Sequence, residues 1–248
     1  PGATDMPAAG RARDGQGAIV TGAGRGLGRA IAEALAREGA AVVLAARSRQ
    51  QLAEAAAAIR SGGGRALAIP TDVTQDAAVA ALVEQTVGEF GRLDVLVTAA
   101  GTASFGPVAG TKPADWDAML AVNLRAVMVC CCAVLPMMLQ QRRGTIVNIA
   151  SVAAQRFIPG AAAYAATKAG VVAWSRVLRE EVRAEGVRVG VLVPGAVDTP
   201  LWDAIPDGPD RTRMLRPEDV ARAAVLMVSM PPGATLEELT LLPAGGIL

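Results

Sequence analysis

Three side chains in the stretch Ser151 to Lys168, SVAAQRFIPGAAAYAATK, have the types and spacing for proton transfer. Tyr164 and Lys168 are four residues apart, so in a helix they stand one above the other on the same face. A phenol beside a fixed ammonium group is a sensible proton donor. The cation favours the phenolate and lowers a pKa that is otherwise about 10. Ser151 follows the apolar run Thr145 to Ala150, which reads as a buried parallel strand. A hydroxyl at the carboxyl end of such a strand lies where open α/β sheets bind their ligands. On spacing alone, Tyr164 could equally be a packing residue and Lys168 a solvated one.

The elements that would position these groups alternate along the chain. Ala18 to Thr21 is a short apolar strand. It runs into Gly22-Ala23-Gly24-Arg25-Gly26-Leu27-Gly28 and then into a helical pattern from Arg29 to Glu38. Strand, glycine-rich turn and helix together form a phosphate cradle. Glycines let the backbone approach, and the helix N-terminus offers unpaired N–H groups. Ala41 to Ala46 is a second strand, followed by a helix from Ser48 to Arg60. The positions where an acid would bind a ribose 2′-hydroxyl read Ala45-Ala46-Arg47 instead. Arg25 and Arg47 would suit a 2′-phosphate, which favours NADP(H) over NAD(H); as plain surface arginines they would say nothing.

Ala66 to Pro70 is a third strand. After it, Asp72 is placed either to accept from an adenine amino group, with Val73 beside it, or to cap the helix from Ala77 to Val87. Leu93 to Thr98 is a fourth strand, and the small residues Ala99, Ala100 and Gly101 would let a cofactor lie against its end. Pro113 to Leu139 reads as one long helix, with a bend or stop expected at Pro136. Asn123 sits in its apolar stretch, where a buried amide must be satisfied. It serves either a proton path, by holding a backbone carbonyl and a water, or a helix–helix hydrogen bond. A helix from Ala161 to Glu185 and a sixth strand, Arg188 to Val193, follow. Pro194, Gly195, Val197 and Thr199 then form a loop at that strand's end, placed to meet a nicotinamide. Leu201 to Arg216 has no period and reads as a mobile substrate loop. Pro217 opens a last helix to Ser229, and Glu238 to Leu242 is a seventh strand.

The pattern predicts a Rossmann-like α/β fold: three layers, with a seven-stranded parallel sheet covered by helices on both faces. Residues 16 to 248 read as one domain, preceded by a Pro-, Gly- and Ala-rich tail over residues 1 to 15. The 248 residues are 52% hydrophobic and 19% charged, ample for a core. A net charge of +1 leaves no footprint for nucleic acid or an anionic membrane, and no uninterrupted run of 18 apolar residues is present. Histidine is absent, and the three cysteines are consecutive, Cys130 to Cys132, so no metal site is expected. Their expected role is helix packing in a reduced, cytoplasmic setting.

With these residues in view, Ala18 to Leu242 resembles the short-chain dehydrogenase/reductase family in its single-domain branch. The resemblance rests on Thr21, Gly22, Gly26 and Gly28 of a TGxxxGxG pattern, Asp72, Asn123, Ser151, the YxxxK pair Tyr164 and Lys168, and the Pro194-Gly195 turn. One residue departs from it: Thr98 stands where the family usually has Asn. Losing the amide puts that side chain's bracing of the central sheet in question. The resemblance implies Tyr164 as acid or base at a carbonyl, Lys168 as the group that lowers its pKa and binds the nicotinamide ribose, and Ser151 as a hydrogen bond to the substrate oxygen. It implies Asn123 as the holder of a water leading to Lys168. Ketones, 3-oxoacyl groups or secondary alcohols are the implied substrates, and a homotetramer or dimer the implied assembly, its two long helices packing across one interface. An NAD-dependent alcohol or hydroxy-acid dehydrogenase, and a catalytically silent NADP-binding sensor, are the competing readings. Val152, Ala153, Phe157, Ile158 and Trp202 are the expected apolar pocket residues, with Gln155 and Arg156 as groups for an anionic substrate.

Overall fold

The computed structural model describes residues 15–205 and 208–247. The expected N-terminal tail lies, up to residue 14, outside the described residues. Seven strands form one parallel sheet: β1 (Gly17–Thr21), β2 (Ala41–Ala46), β3 (Arg65–Pro70), β4 (Val95–Thr98), β5 (Gly144–Ile149), β6 (Val187–Pro194) and β7 (Glu238–Leu241). Their order is β3-β2-β1-β4-β5-β6-β7. Among the described residues the α-helices are α1 (Gly26–Arg37), α2 (Arg49–Ser61), α3 (Asp76–Phe90), α4 (Pro113–Leu120), α5 (Ala126–Gln141), α6 (Ala162–Val182) and α7 (Pro217–Ser229).

Side chains alternate across each strand, and the core divides accordingly. Ala18, Val20, Val42, Leu44, Val95, Val97, Val147, Ile149 and Leu192 face one way and pack with α1, α2 and α7. Ile19, Val43, Leu96, Ile146, Val189, Val191 and Val193 face the other way and pack with α3, α5 and α6. Both faces are therefore dry, which is why the strands read as unbroken apolar runs.

Chain order reverses between β1 and β4, which lie side by side in register from Ala18↔Val95 to Thr21↔Thr98. In an open α/β sheet such a reversal opens a crevice beyond the carboxyl ends of the strands. The Thr21 hydroxyl ties the two rims together there, accepting from the backbone N–H groups of Ala99 (3.1 Å) and Ala100 (3.2 Å).

The stretch expected as one helix with a break at Pro136 is arranged differently. Its irregularity is a π-helical turn, Ala121–Arg125, which joins α4 to α5. The helix passes through Pro136 and continues to Gln141. Pro136 leaves the Cys132 carbonyl without its helical donor, but Cys132 lies on the exposed side, where water can serve that oxygen. The π-turn puts the extra residue at the buried Asn123. Polar residues such as Asn123 and Arg125 interrupt the apolar run, but its average stays high despite them. Pro113–Gln141 therefore holds an 18-residue window of mean hydropathy 2.2, long and apolar enough to cross a membrane by length and composition. Here it lies against the sheet beside α3 and α6, with 39% of that window buried.

Candidate active site at the carboxyl ends of the strands

Ser151 is carried out of β5 by Ala150. It sits in extended backbone (φ −165°, ψ 155°) ahead of a short turn, Val152–Ala154, and its hydroxyl accepts from the Ala153 N–H. Tyr164 and Lys168 occupy successive turns of α6, and Lys168 reaches β5. The Tyr164 hydroxyl lies beside that of Ser151. Lys168 is buried and donates from Nζ to the Ile149 carbonyl (2.9 Å), and it stands 5.9 Å from the centre of the Tyr164 ring.

Asn123 faces this group from the π-turn. It grips the backbone of Thr102 at both ends, accepting from N–H and donating to C=O at 2.8 Å each, and donates to Thr167 Oγ1 (3.3 Å). Thr167 in turn donates to the Tyr164 carbonyl (2.7 Å). The expectation that Asn123 holds a backbone carbonyl fits this geometry. It also fixes the segment after β4 to α6, so the four sequence-nominated residues converge.

The electrostatics differ from expectation. Lys168 was expected to lower the Tyr164 pKa, yet the phenol is raised above its ordinary value. Burial is the main cause, opposed only by the neighbouring Ser151 hydroxyl. Burial also lowers Lys168 to about 8. The ammonium is turned to the Ile149 carbonyl rather than to the phenol oxygen, so desolvation dominates both groups. Tyr164 thus keeps its proton at neutral pH, the state needed to reduce a carbonyl.

The crevice itself fits a dinucleotide. Gly22 and Gly26 have positive φ (68° and 55°), which favours glycine. A Cβ on Gly22 would stand 2.8 Å from the backbone of Ala100, and one on Gly28 2.4 Å from the Gly22 carbonyl oxygen. The turn is therefore closed against β4 and leaves no room for side chains. α1 begins at Gly26, so Gly26, Leu27 and Gly28 form its first turn. Its N-cap, Arg25, makes no side-chain cap, and the first N–H groups stay available to a phosphate. Gly24 lies against the Gln51 side chain. Gly101 opens onto Asn123 Oδ1 and Lys168 Nζ.

Across the crevice, Gly195 donates to the Leu241 carbonyl, Val197 bridges to Leu215, and the Thr199 side chain lies beside Gly26. Pro194 ends β6, and Val73, just after β3, is buried in the core on the α3 side of the sheet. Arg25 and Arg47 are exposed at the rim. Asp72 was read as an adenine contact or a helix cap, but it does not cap α3, whose N-cap is Gln75; its contacts close a turn with Thr74 instead. Oδ1 accepts from the N–H (3.0 Å) and hydroxyl (2.7 Å) of Thr74, and these bonds, with the charge of Arg47, lower its pKa.

The profile of the short chain dehydrogenase family matches residues 16–210. The chain belongs to that family. It is an oxidoreductase of the NAD(P)-dependent kind, acting between CH–OH and C=O groups. It is 37% identical over 232 residues to an uncharacterized oxidoreductase of Staphylococcus saprophyticus, covering 91% of this chain and 96% of that one. It is 39% identical over 244 residues to the short-chain reductase protein NovJ of Streptomyces niveus, covering 92% of each. Among solved structures, a metagenomic short-chain oxidoreductase in complex with NADP superposes with a TM-score of 0.83 at 35% identity, covering 94% of this chain and 99% of that one. An alcohol dehydrogenase from the archaeon Thermococcus sibiricus, complexed with 5-hydroxy-NADP, gives 0.85 at 31% identity, covering 92% and 97%.

As a short-chain dehydrogenase the chain also shows what its sequence concealed. Phe105, four residues past Gly101, lies against Tyr164 with ring centres 5.7 Å apart. It is the one aromatic residue in a run of small ones, and that isolation was the available signal. Phe157, expected in the pocket, is instead fully exposed, because its segment turns outward between Gln155 and Gly160. Gln155 faces Thr240, with Oε1 3.5 Å from its hydroxyl. Val152 and Ala153 are buried beside Ser151 as expected, and Ile158 is half-buried.

Proposed function

We propose that this short-chain dehydrogenase interconverts a ketone, 3-oxoacyl or simple, and a secondary alcohol, with NADP(H) as the coenzyme and Tyr164 as the acid or base. The carrying observation is the Tyr164 hydroxyl beside Ser151, one helical turn from the Lys168 ammonium, at the mouth of the crevice. When bound, the nicotinamide supplies or takes up the hydride. Ser151 holds the carbonyl oxygen, and Tyr164 gives its proton to that oxygen as negative charge develops on it. Lys168 stands behind the phenol as a fixed positive charge. Asn123 keeps Thr102 and Thr167 in place around them.

The choice of NADP(H) is supported by the exposed Arg25 and Arg47 at the rim, by the lack of an acid after β2, and by the NADP complexes of two structural relatives. A clear excess of kcat/KM with NADH over NADPH would reverse it. Tyr164→Phe should bind NADPH normally and lower kcat by about 10²- to 10⁴-fold. Near-normal turnover by that variant would reject Tyr164 as the acid.

We further propose a homotetramer, with the helical stretch Pro113–Gln141 and α6 forming one interface. The apolar side chains of Leu120 (44% exposed) and Val177 (59% exposed) would be covered there. Val177→Glu should shift the species seen by light scattering toward smaller assemblies. A reduced, cytoplasmic setting fits the three unpaired thiols, two of them buried, with Cys130 raised to about 12 by burial.

A further inference from the structure

We infer that Phe105 and Trp202 form a preassembled aromatic wall beside Tyr164 that selects a flat apolar carbonyl, an aryl or conjugated ring ketone. This deepens the proposed ketone reduction and rests on it. The chain has three Phe, three Trp and a single Tyr. That Tyr is the acid, and one Phe and one Trp converge on it from two separate loops. Phe105 comes from the segment between β4 and α4, and Trp202 from the 3-10 turn Pro200–Ala204 after β6. Their rings are parallel within 3°, with centres 5.9 Å apart, and Phe105 meets Tyr164 at 56°.

Both arms are pinned. Trp202 Nε1 donates to the Val197 carbonyl (2.9 Å), and the Gly106 N–H donates to the Gly160 carbonyl (2.8 Å) just ahead of α6. Fixed rings lose little freedom when a ligand lies against them, so their contact area is available for recognition. A planar ring whose carbonyl reaches Ser151 and Tyr164 meets aromatic surface on this side. Offset-stacked or edge-to-face contacts then add to plain burial.

Charge points the same way. Arg211, on the far limb of the Trp202 loop, donates to Asp198 (2.5 Å), to Asp203 (2.8 Å) and to the Thr199 carbonyl. One cation is held between two carboxylates, so this guanidinium is already committed and is not free to receive an anionic tail. Gln155 faces Thr240, and Arg156 is exposed to solvent. The wall therefore separates the two kinds of ketone left open above, and favours the uncharged, ring-bearing one over the carrier-bound 3-oxoacyl one.

The test compares four carbonyls with NADPH: acetophenone, cyclohexyl methyl ketone of the same carbon skeleton, acetoacetate, and an acetoacetyl N-acetylcysteamine thioester. Wild type, Phe105→Leu, Trp202→Leu and Trp202→Phe are measured side by side. For the wild type, kcat/KM for acetophenone should exceed that for the cyclohexyl ketone by about tenfold, with the acetoacetyl compounds lower still. That ratio should fall toward one in Phe105→Leu and Trp202→Leu and persist in Trp202→Phe, with the Kd for NADPH unchanged in all three. A ratio that is the same in every variant, or a wild type that prefers the acetoacetyl compounds, overturns the wall while leaving ketone reduction standing. Turnover of none of the four carbonyls overturns both.

Discussion

The two sides of the crevice are made of different material. On the coenzyme side, strand ends and the first turn of α1 meet through backbone. Gly22 closes against Ala100 and Gly28 against Gly22, at distances where a methyl group does not fit. On the substrate side, two loops meet through side chains: the Phe105–Trp202 stack, and Arg211 held between Asp198 and Asp203. At Gly22 and Gly28 the first side tolerates no added atom, whereas the rings of the second are half-exposed. A shared coenzyme calls for the first kind of construction, and a substrate that varies from one member to the next calls for the second. Mutations on the coenzyme side should therefore move stability and coenzyme affinity together. Those on the substrate side should move KM for the ketone alone.

The largest effect beyond loss of the acid itself is expected at Gly28. Its Cβ would stand 2.4 Å from a backbone oxygen, which has no flexible side chain to move aside. Gly28→Ala should cost about 1–3 kcal/mol of stability through overpacking and weaken NADPH binding by more than tenfold. Thermal melting and a fluorescence titration with NADPH read the two effects. A variant that melts and binds like wild type would erase the contrast between the two sides.

Next comes the buried charge. The Lys168 pKa is lowered from 10.5 to about 8 by burial. Below pH 8 both the folded and the unfolded chain carry the ammonium, so the full cost of burying it, on the order of 3 kcal/mol, is present. Between about pH 8 and 10.5 the unfolded chain binds more protons than the folded one, and stability rises with pH across that window. Lys168→Met removes this dependence. Its offset at pH 7 also contains the lost hydrogen bond to Ile149, so the informative quantity is the slope. The wild type should gain on the variant as pH climbs from 8 toward 10. Parallel melting curves across that range would show that the ammonium is better solvated than its surroundings suggest.

How much of this could be read from the chain follows the same division. Gly22 to Gly28, Tyr164 with Lys168, and Ser151 were legible because local spacing fixes them: a turn, one helical repeat, a strand end. The sheet's two-sided burial was legible in the apolar runs. Phe105 was not, because nothing local says that a loop after β4 will reach a turn about a hundred residues later. The π-turn was hidden too, since the sequence offered Pro136 as the more obvious break. Thr98 shows the limit most clearly. Its hydroxyl donates to Asn148 Oδ1 (2.8 Å) on the strand it pairs with, and Asn148 donates to Ser175 (2.9 Å). The bracing amide thus stands one strand away, 50 residues on, where only the pairing register reveals it. Thr98→Val should leave that buried oxygen with the Cys131 thiol as its described partner and cost about 1–3 kcal/mol in a denaturant melt, without altering the ketone's KM. No loss would mean that the network is carried by Asn148 and Ser175 alone.

The smallest effect should lie at Arg211, and it is the sharpest test of the contrast. Its partners Asp198 and Asp203 are exposed, and ion pairs in water contribute little to folding. Arg211→Ala should therefore melt like the wild type. Yet the same guanidinium ties the Trp202 turn to the Thr199 carbonyl, beside Gly26 of the coenzyme cradle. Releasing it frees the outer arm of the aromatic wall, so KM for the ketone should rise by up to about fivefold while the Kd for NADPH holds. Because exposed pairs are screened by salt, raising the ionic strength should produce the same change in the wild type and none in the variant. If salt moves both proteins alike, the clasp does not hold the loop, and the substrate side must be stiffened by its apolar contacts alone.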